Sequence, residues 1–155
     1  MTNISPHFDD REFFSPDVYE MLVNDGVRPQ WLIDRTLVQI LEELRAWLNN
    51  LYDEKVIIEI THTESGVNGF VTSSQNATRN SSNPKKGKWS QHQYGRAVDI
   101  VANRIAEGRK IPVDPKEIQK YFENTLSFGG LGKGKTFTHV DTRFSNHLII
   151  WEYND

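Results

Sequence analysis

The sequence contains no cysteine. That excludes a disulfide framework and a thiolate zinc site, and leaves His, Asp and Glu as the strong metal ligands. It also has no apolar run approaching the roughly 20 residues that a membrane-spanning helix needs, so no membrane span is expected. Excess positive charge is missing too. The formal net charge is -3, which provides no basic field for nucleic acid. The first ten residues, Met1 to Asp10, carry neither a basic n-region nor an apolar h-region. The expectation is therefore synthesis in the cytoplasm without a secretory signal. No internal repeat is visible. What is present is ordinary for a globular protein: 155 residues, 37% hydrophobic and 25% charged. This fits a single domain over residues 1–155 with one core. Residues 1–15, polar with scattered Phe8, Phe13 and Phe14, are expected to wrap its surface as a peripheral segment.

The patterning predicts both helices and strands. Ser15 followed by Pro16, with Gly26 beyond, predicts a short helix over 16–25. Asp34 is a suitable cap for a longer one, in which Leu37, Ile40, Leu41, Leu44, Leu48 and Leu51 recur at helical spacing. Residues 56–62 are rich in β-branched side chains and read as a strand. Residues 65–88 are rich in Gly, Ser, Asn, Pro and Lys and read as a long loop, with Lys85, Lys86 and Lys88 as solvated charges. A second strand is predicted over 97–102. Asp114-Pro115 starts another helix, with Ile118, Tyr121 and Phe122 on its buried face. The glycine-rich stretch 128–134 reads as a turn into a strand over 136–143, with residues 148–153 as its hairpin partner. This order fits an α+β fold, a small and largely antiparallel sheet with flanking helices.

Chemistry concentrates in two segments. One is Ser90-Gln91-His92-Gln93-Tyr94-Gly95-Arg96-Ala97-Val98-Asp99; the other is Thr138-His139-Val140-Asp141. Side chains along a strand alternate faces, so His139 and Asp141 share one face, and Asp99 shares one with the small Ala97. His92 falls in the turn before that strand, and Gly95 lets the chain swing it back over Asp99. If the two strands lie side by side, His92, Asp99 and His139 converge. Two imidazoles and a carboxylate plus water form a usual catalytic zinc set. Asp141 is then the local candidate for the catalytic base of a hydrolysis. Its rival role is behind a ligand, holding the second nitrogen of a liganding histidine. His7 and His147 read as ordinary surface or core histidines. Trp89 reads as a packing residue or a wall of the cleft. The stretch 129–134 is no phosphate loop, since it lacks the Lys-Ser/Thr ending.

Ser90-x-His92-x-x-Gly95-x-Ala97-x-Asp99 together with Thr138-His139-Val140-Asp141 resembles the M15-type zinc peptidases. That group includes D-alanyl-D-alanine carboxypeptidases, dipeptidases and phage L-alanyl-D-glutamate endolysins, on the hedgehog/DD-peptidase fold. The resemblance implies Zn²⁺ held by His92, Asp99 and His139, with Ser90 near the substrate. It further implies hydrolysis of an amide in peptidoglycan stem peptides, as by a phage endolysin or virion-associated lysin reaching the cell wall after lysis or holin release. Two family features are missing. The stretch 61–68 has no Ser-Gly-Tyr-Arg arginine, a place that His62 could take as an oxyanion donor, and Thr136 stands where several branches carry an acid. Those departures motivate an alternative, a non-catalytic metal-stabilised binding or structural module of a virion on the same fold. A closed site with His62 or Asp141 as fourth ligand would mark that alternative.

Overall fold

The computed structural model describes residues 3–63, 66–80 and 90–153. Lys85, Lys86, Lys88 and Trp89 lie outside them. In chain order the elements are β1 (Asn3–Ser5), β2 (Phe8–Asp9), α1 (Pro16–Asn24), α2 (Arg35–Tyr52), β3 (Lys55–Ile60), β4 (His62–Thr63), β5 (Gly66–Val67), α3 (Ser73–Asn80), β6 (Ala97–Ala106), β7 (Arg109–Pro112), α4 (Pro115–Thr125), β8 (Gly130–Lys133), β9 (Thr138–Asp141) and β10 (Ile149–Glu152). Single 3-10 turns cover Asp10–Phe13, Pro29–Leu32 and Gln91–Tyr94. The fold is α+β with a mostly antiparallel sheet. Among the described residues, no helix is long and apolar enough to cross a membrane.

The main sheet runs β10-β8-β9-β6-β3, with β7 folded back on β6. The scaffold helix forms as its pattern predicts. Asp34 caps it by accepting from the Thr36 N–H, which satisfies one of the unpaired amides of the first turn. Leu37, Leu41, Leu44 and Leu48 are completely buried against β3, whereas Leu51 is exposed at the end. Asp114 caps α4 in the same way, through the Lys116 N–H. That helix sets Ile118 and Phe122 into the core beside β8 and β9.

Three expectations are corrected. Residues 3–15 do not wrap the surface: Phe8, Phe13 and Phe14 are all buried in the core. Apolar surface of that size favours burial by roughly 1.5–3 kcal/mol per side chain. The long loop contains order, since β5 pairs with β4 and α3 follows. The glycine-rich stretch is a strand and not a turn. β8 pairs antiparallel with β9, and β10 lies parallel to β8 on its other side, so residues 148–153 are not the hairpin partner of β9. Packing explains this register. A Cβ at Gly132 would meet Tyr153 Cε2 at 2.6 Å, His139 Cβ at 2.9 Å and Trp151 Nε1 at 2.9 Å. The bare glycine strand is what lets the β10 aromatics lie down over β9.

Candidate metal centre

β6 and β9 do lie side by side, antiparallel, with Asp99 opposite His139 and Ala97 opposite Asp141. His92 comes from the 3-10 turn just before β6. Ser90 caps that turn by accepting from the His92 N–H at 3.3 Å, and Gln93 closes the box on the Ser90 N–H at 2.9 Å. Gly95 ends the turn at φ 67°, in the left-handed region that favours glycine. It also runs so close to Leu32 that a Cβ would fall 1.5 Å from that carbonyl oxygen.

The result is a compact group. One ligand atom each from His92, Asp99 and His139 lies within 4.8 Å of the others, and the group could hold a metal ion. Asp99 Oδ1 is 2.9 Å from His139 Nδ1 and 3.6 Å from His92 Nε2. Ligand atoms around a tetrahedral zinc are roughly 3.3 Å apart, given bonds near 2.0 Å. The two separations from Asp99 bracket that value, so the donor set fits a divalent metal ion.

The remaining imidazole nitrogens are held from behind. His92 Nδ1 is 2.9 Å from the Gly69 carbonyl oxygen, which only accepts, so Nδ1 carries the proton and Nε2 offers its lone pair. His139 Nε2 is 2.7 Å from Asp141 Oδ2. A proton on Nε2 leaves Nδ1 for an ion. Asp141 is itself clamped: Arg143 donates from Nε to Oδ1 at 2.8 Å and from Nη2 to Oδ2 at 2.6 Å, and its backbone N–H reaches Oδ1 at 3.1 Å. The Asp141 side chain has no exposed surface.

Charge follows this geometry in the metal-free protein. Burial alone would raise the Asp99 carboxyl, but hydrogen bonds from His139 and His92 outweigh it and hold it well below the usual carboxylate range. Asp141 is lowered in the same way against burial, by Arg143 and His139. Burial would lower His139, yet its bonds to Asp141 and Asp99 push it up to about 9. Tyr153 is pushed up to about 12, first by burial and then by the Asp99 charge.

The residues marked out by the sequence divide clearly. His92, Asp99 and His139 come together. Asp141 adjoins His139 in the geometry of the holding role. The Ser90 hydroxyl oxygen accepts from the His92 N–H as a cap. His62 is exposed on β4, paired with Val67, and does not join the group. Four contributors carry no sequence motif. Gly69 supplies a carbonyl, and Arg143 is marked only by its place two residues after Asp141 on the same face. Trp151 packs its ring 5.1 Å from the His139 ring with the Arg143 guanidinium 4.8 Å above it, and Tyr153 completes that wall.

Residues 38–129 match the family described as extensin-like protein C-terminus. The match covers more than half of the chain, and the chain belongs to that family. It takes in most of α2, all of β3, His92 and Asp99, and stops short of His139 and Asp141. No curated protein and no solved structure matches the chain.

Proposed function

We propose that the protein is a zinc-dependent peptidase that hydrolyses amide bonds in peptidoglycan stem peptides, on a hedgehog/DD-peptidase-like fold. The observation that carries this reading is the three-residue group with both spare imidazole nitrogens fixed from behind. His92 Nε2, Asp99 Oδ1 and His139 Nδ1 supply three ligand atoms, and Asp141 bonds the other ring nitrogen of His139, Nε2, instead of taking a fourth position. Catalytic zinc sites keep such a position for water or substrate, whereas structural ones are closed by four protein ligands. With His62 outside the group as well, both candidates for a closing fourth ligand stand elsewhere, which favours the enzyme over the non-catalytic module.

His92, Asp99 and His139 would hold the ion, which would supply an activated water near neutral pH and a Lewis acid for the scissile carbonyl. The chain's own residues hold and orient the ligands. Gly69 and Asp141 fix the imidazole tautomers, and Arg143 keeps Asp141 ionised and in place. Trp151 packs against the His139 ring, and Tyr153 packs against Trp151. Asp141 is thus a positioning residue in this mechanism and not the base, because its side chain is wholly buried with both oxygens engaged. The peptidoglycan substrate comes from the M15-like motif, and with it the lysin setting.

The test is release of free amino groups from purified peptidoglycan by the native protein, by EDTA-treated protein and by EDTA-treated protein with zinc restored. Release that disappears with EDTA and returns with zinc is expected. Stoichiometric metal without release from any wall type would overturn the peptidase in favour of the metal-stabilised module.

A further inference from the structure

Ser15 stands where a helix cap belongs but does not cap. It is the residue before α1, with extended backbone, and its side chain makes no bond to the first turn. A serine there ordinarily accepts from an amide two or three residues on, which satisfies one of the unpaired N–H groups. The hydroxyl instead reaches residues 66–75. Its oxygen accepts from the Val67 N–H at 3.0 Å and from Gln75 Nε2 at 3.3 Å. Ser15 is 4% exposed. The fit is close: Gly66 has φ 115°, and a Cβ there would lie 2.3 Å from the Ser15 oxygen. The two residues before Ser15 add contacts of their own. Phe70 N–H donates to the Phe13 carbonyl at 2.7 Å, and the Phe70 ring packs 5.4 Å from that of Phe14.

The segment held in this way is the one that holds the metal ligands. The Asn68 carbonyl accepts from the Asp99 N–H at 3.0 Å, and the Gly69 carbonyl from His92 Nδ1 at 2.9 Å. Val71 N–H donates to the His92 carbonyl at 3.3 Å. The secondary structure of the segment is slight. β5 is two residues long, pairs with the two residues of β4, and lies outside the main sheet. Such a pairing is marginal by itself. One further bond, Asn68 N–H to the Thr61 carbonyl at 2.8 Å, ties the segment to the chain just past β3. Residues 66–71 are therefore set between residues 13–15 on one side and His92 and Asp99 on the other.

We infer that Ser15 is a positioning residue of the metal centre, a latch that sets residues 66–71 so that Gly69 fixes the metal-binding tautomer of His92. The inference rests on the three-residue metal centre and not on any substrate. A serine that served α1 alone would turn its oxygen to the first turn, and one that only filled space would need no hydroxyl. Linkage makes the coupling mutual. If the closed latch raises metal affinity, the bound ion tightens the latch by the same factor.

The test uses the full chain, native and Ser15→Ala, with zinc alone as the probe. Zinc affinity is read by competition with a chromophoric chelator, and latch opening by amide hydrogen exchange. Ser15→Ala should bind zinc roughly three- to tenfold more weakly, the loss of about one hydrogen bond. In the native protein zinc should slow exchange of the Val67 and Phe70 amides by roughly tenfold or more. In metal-free Ser15→Ala both amides should exchange faster than in the metal-free native protein. A matched control is Asp114→Ala, which removes the cap of α4 and should lower Tm while leaving zinc affinity unchanged. If Ser15→Ala does not fold, Gln75→Ala removes a donor to the same hydroxyl and should show the same loss to a smaller degree. Unchanged zinc affinity in the folded variant, or Val67 and Phe70 exchange that does not respond to zinc, would overturn the latch and leave the metal centre standing. Absence of stoichiometric zinc from the native protein would overturn both.

Discussion

His92 and His139 aim at one point but are held by opposite kinds of partner. His92 stands on a four-residue turn and leans on a neutral backbone carbonyl, that of Gly69. His139 stands in the middle of a strand and leans on a buried carboxylate that an arginine clamps in turn. The first support is built from chain path alone. Asp99 N–H donates to the Asn68 carbonyl at 3.0 Å, and Phe70 N–H to the Phe13 carbonyl at 2.7 Å, so the N-terminal segment props the loop that props His92. The second is built from charge. A carboxylate behind an imidazole makes it a more basic ligand, and a carbonyl does so less. The two histidines should therefore respond differently when their supports are altered.

The largest effect should come from a ligand shared by both sides. Asp99→Asn should leave the protein without stoichiometric zinc after dialysis, measured by metal analysis, and without detectable hydrolysis. Next comes the charged support. Asp141→Asn should weaken zinc roughly 10–100-fold, the usual cost of losing a partner behind a metal-bound histidine, as read by competition with a chromophoric chelator. Were Asp141 the base instead, the variant would keep its zinc affinity and lose only turnover. The neutral support should matter less. A Cβ at Gly69 would sit 2.4 Å from the Phe13 carbonyl oxygen, so Gly69→Ala must shift the loop. Overpacking of this kind costs about 1–3 kcal/mol of stability. The zinc affinity should fall by under about tenfold, since a tenfold change needs 1.4 kcal/mol of it to reach the site.

A gentler probe is pH. In the metal-free protein His139 is raised from 6.5 to about 9. A raised imidazole contributes stability that is fully present below about 6.5 and lost as pH rises through about 9. Zinc needs that nitrogen unprotonated. The metal-free Tm should thus decline from pH 6.5 to 9 while the gain in Tm on adding zinc widens. A gap that is constant over this range would show that His139 is not a ligand.

How far these features could be read from the sequence follows the same division. α2 was legible because Asp34 and a run of leucines at helical spacing leave few alternatives, and α4 because Asp114-Pro115 fixes its start. The faces of His92, Asp99 and His139 were legible from strand alternation and a glycine turn, but their convergence needed the long-range pairing of β6 with β9, which no local rule dictates. The glycine strand β8 was not. Glycine carries no strand preference, and its pairing is dictated by Trp151 and Tyr153 needing room. The three buried phenylalanines of the first fifteen residues were missed because their burial depends on contacts with a distant loop. The Gly69 carbonyl carries no side-chain signal at all. Arg143 could have been found, as a cation on the same strand face as an acid that already had a histidine beside it.

The central claim is that one ion sits between His92 Nε2, Asp99 Oδ1 and His139 Nδ1. Anomalous diffraction at the zinc edge from zinc-soaked crystals tests it most directly. The account predicts a single strong peak at roughly 2.0–2.2 Å from each of these atoms, with a fourth position held by solvent. A peak on His139 Nε2 with Asp141 as a ligand, or no peak in this group, would contradict it.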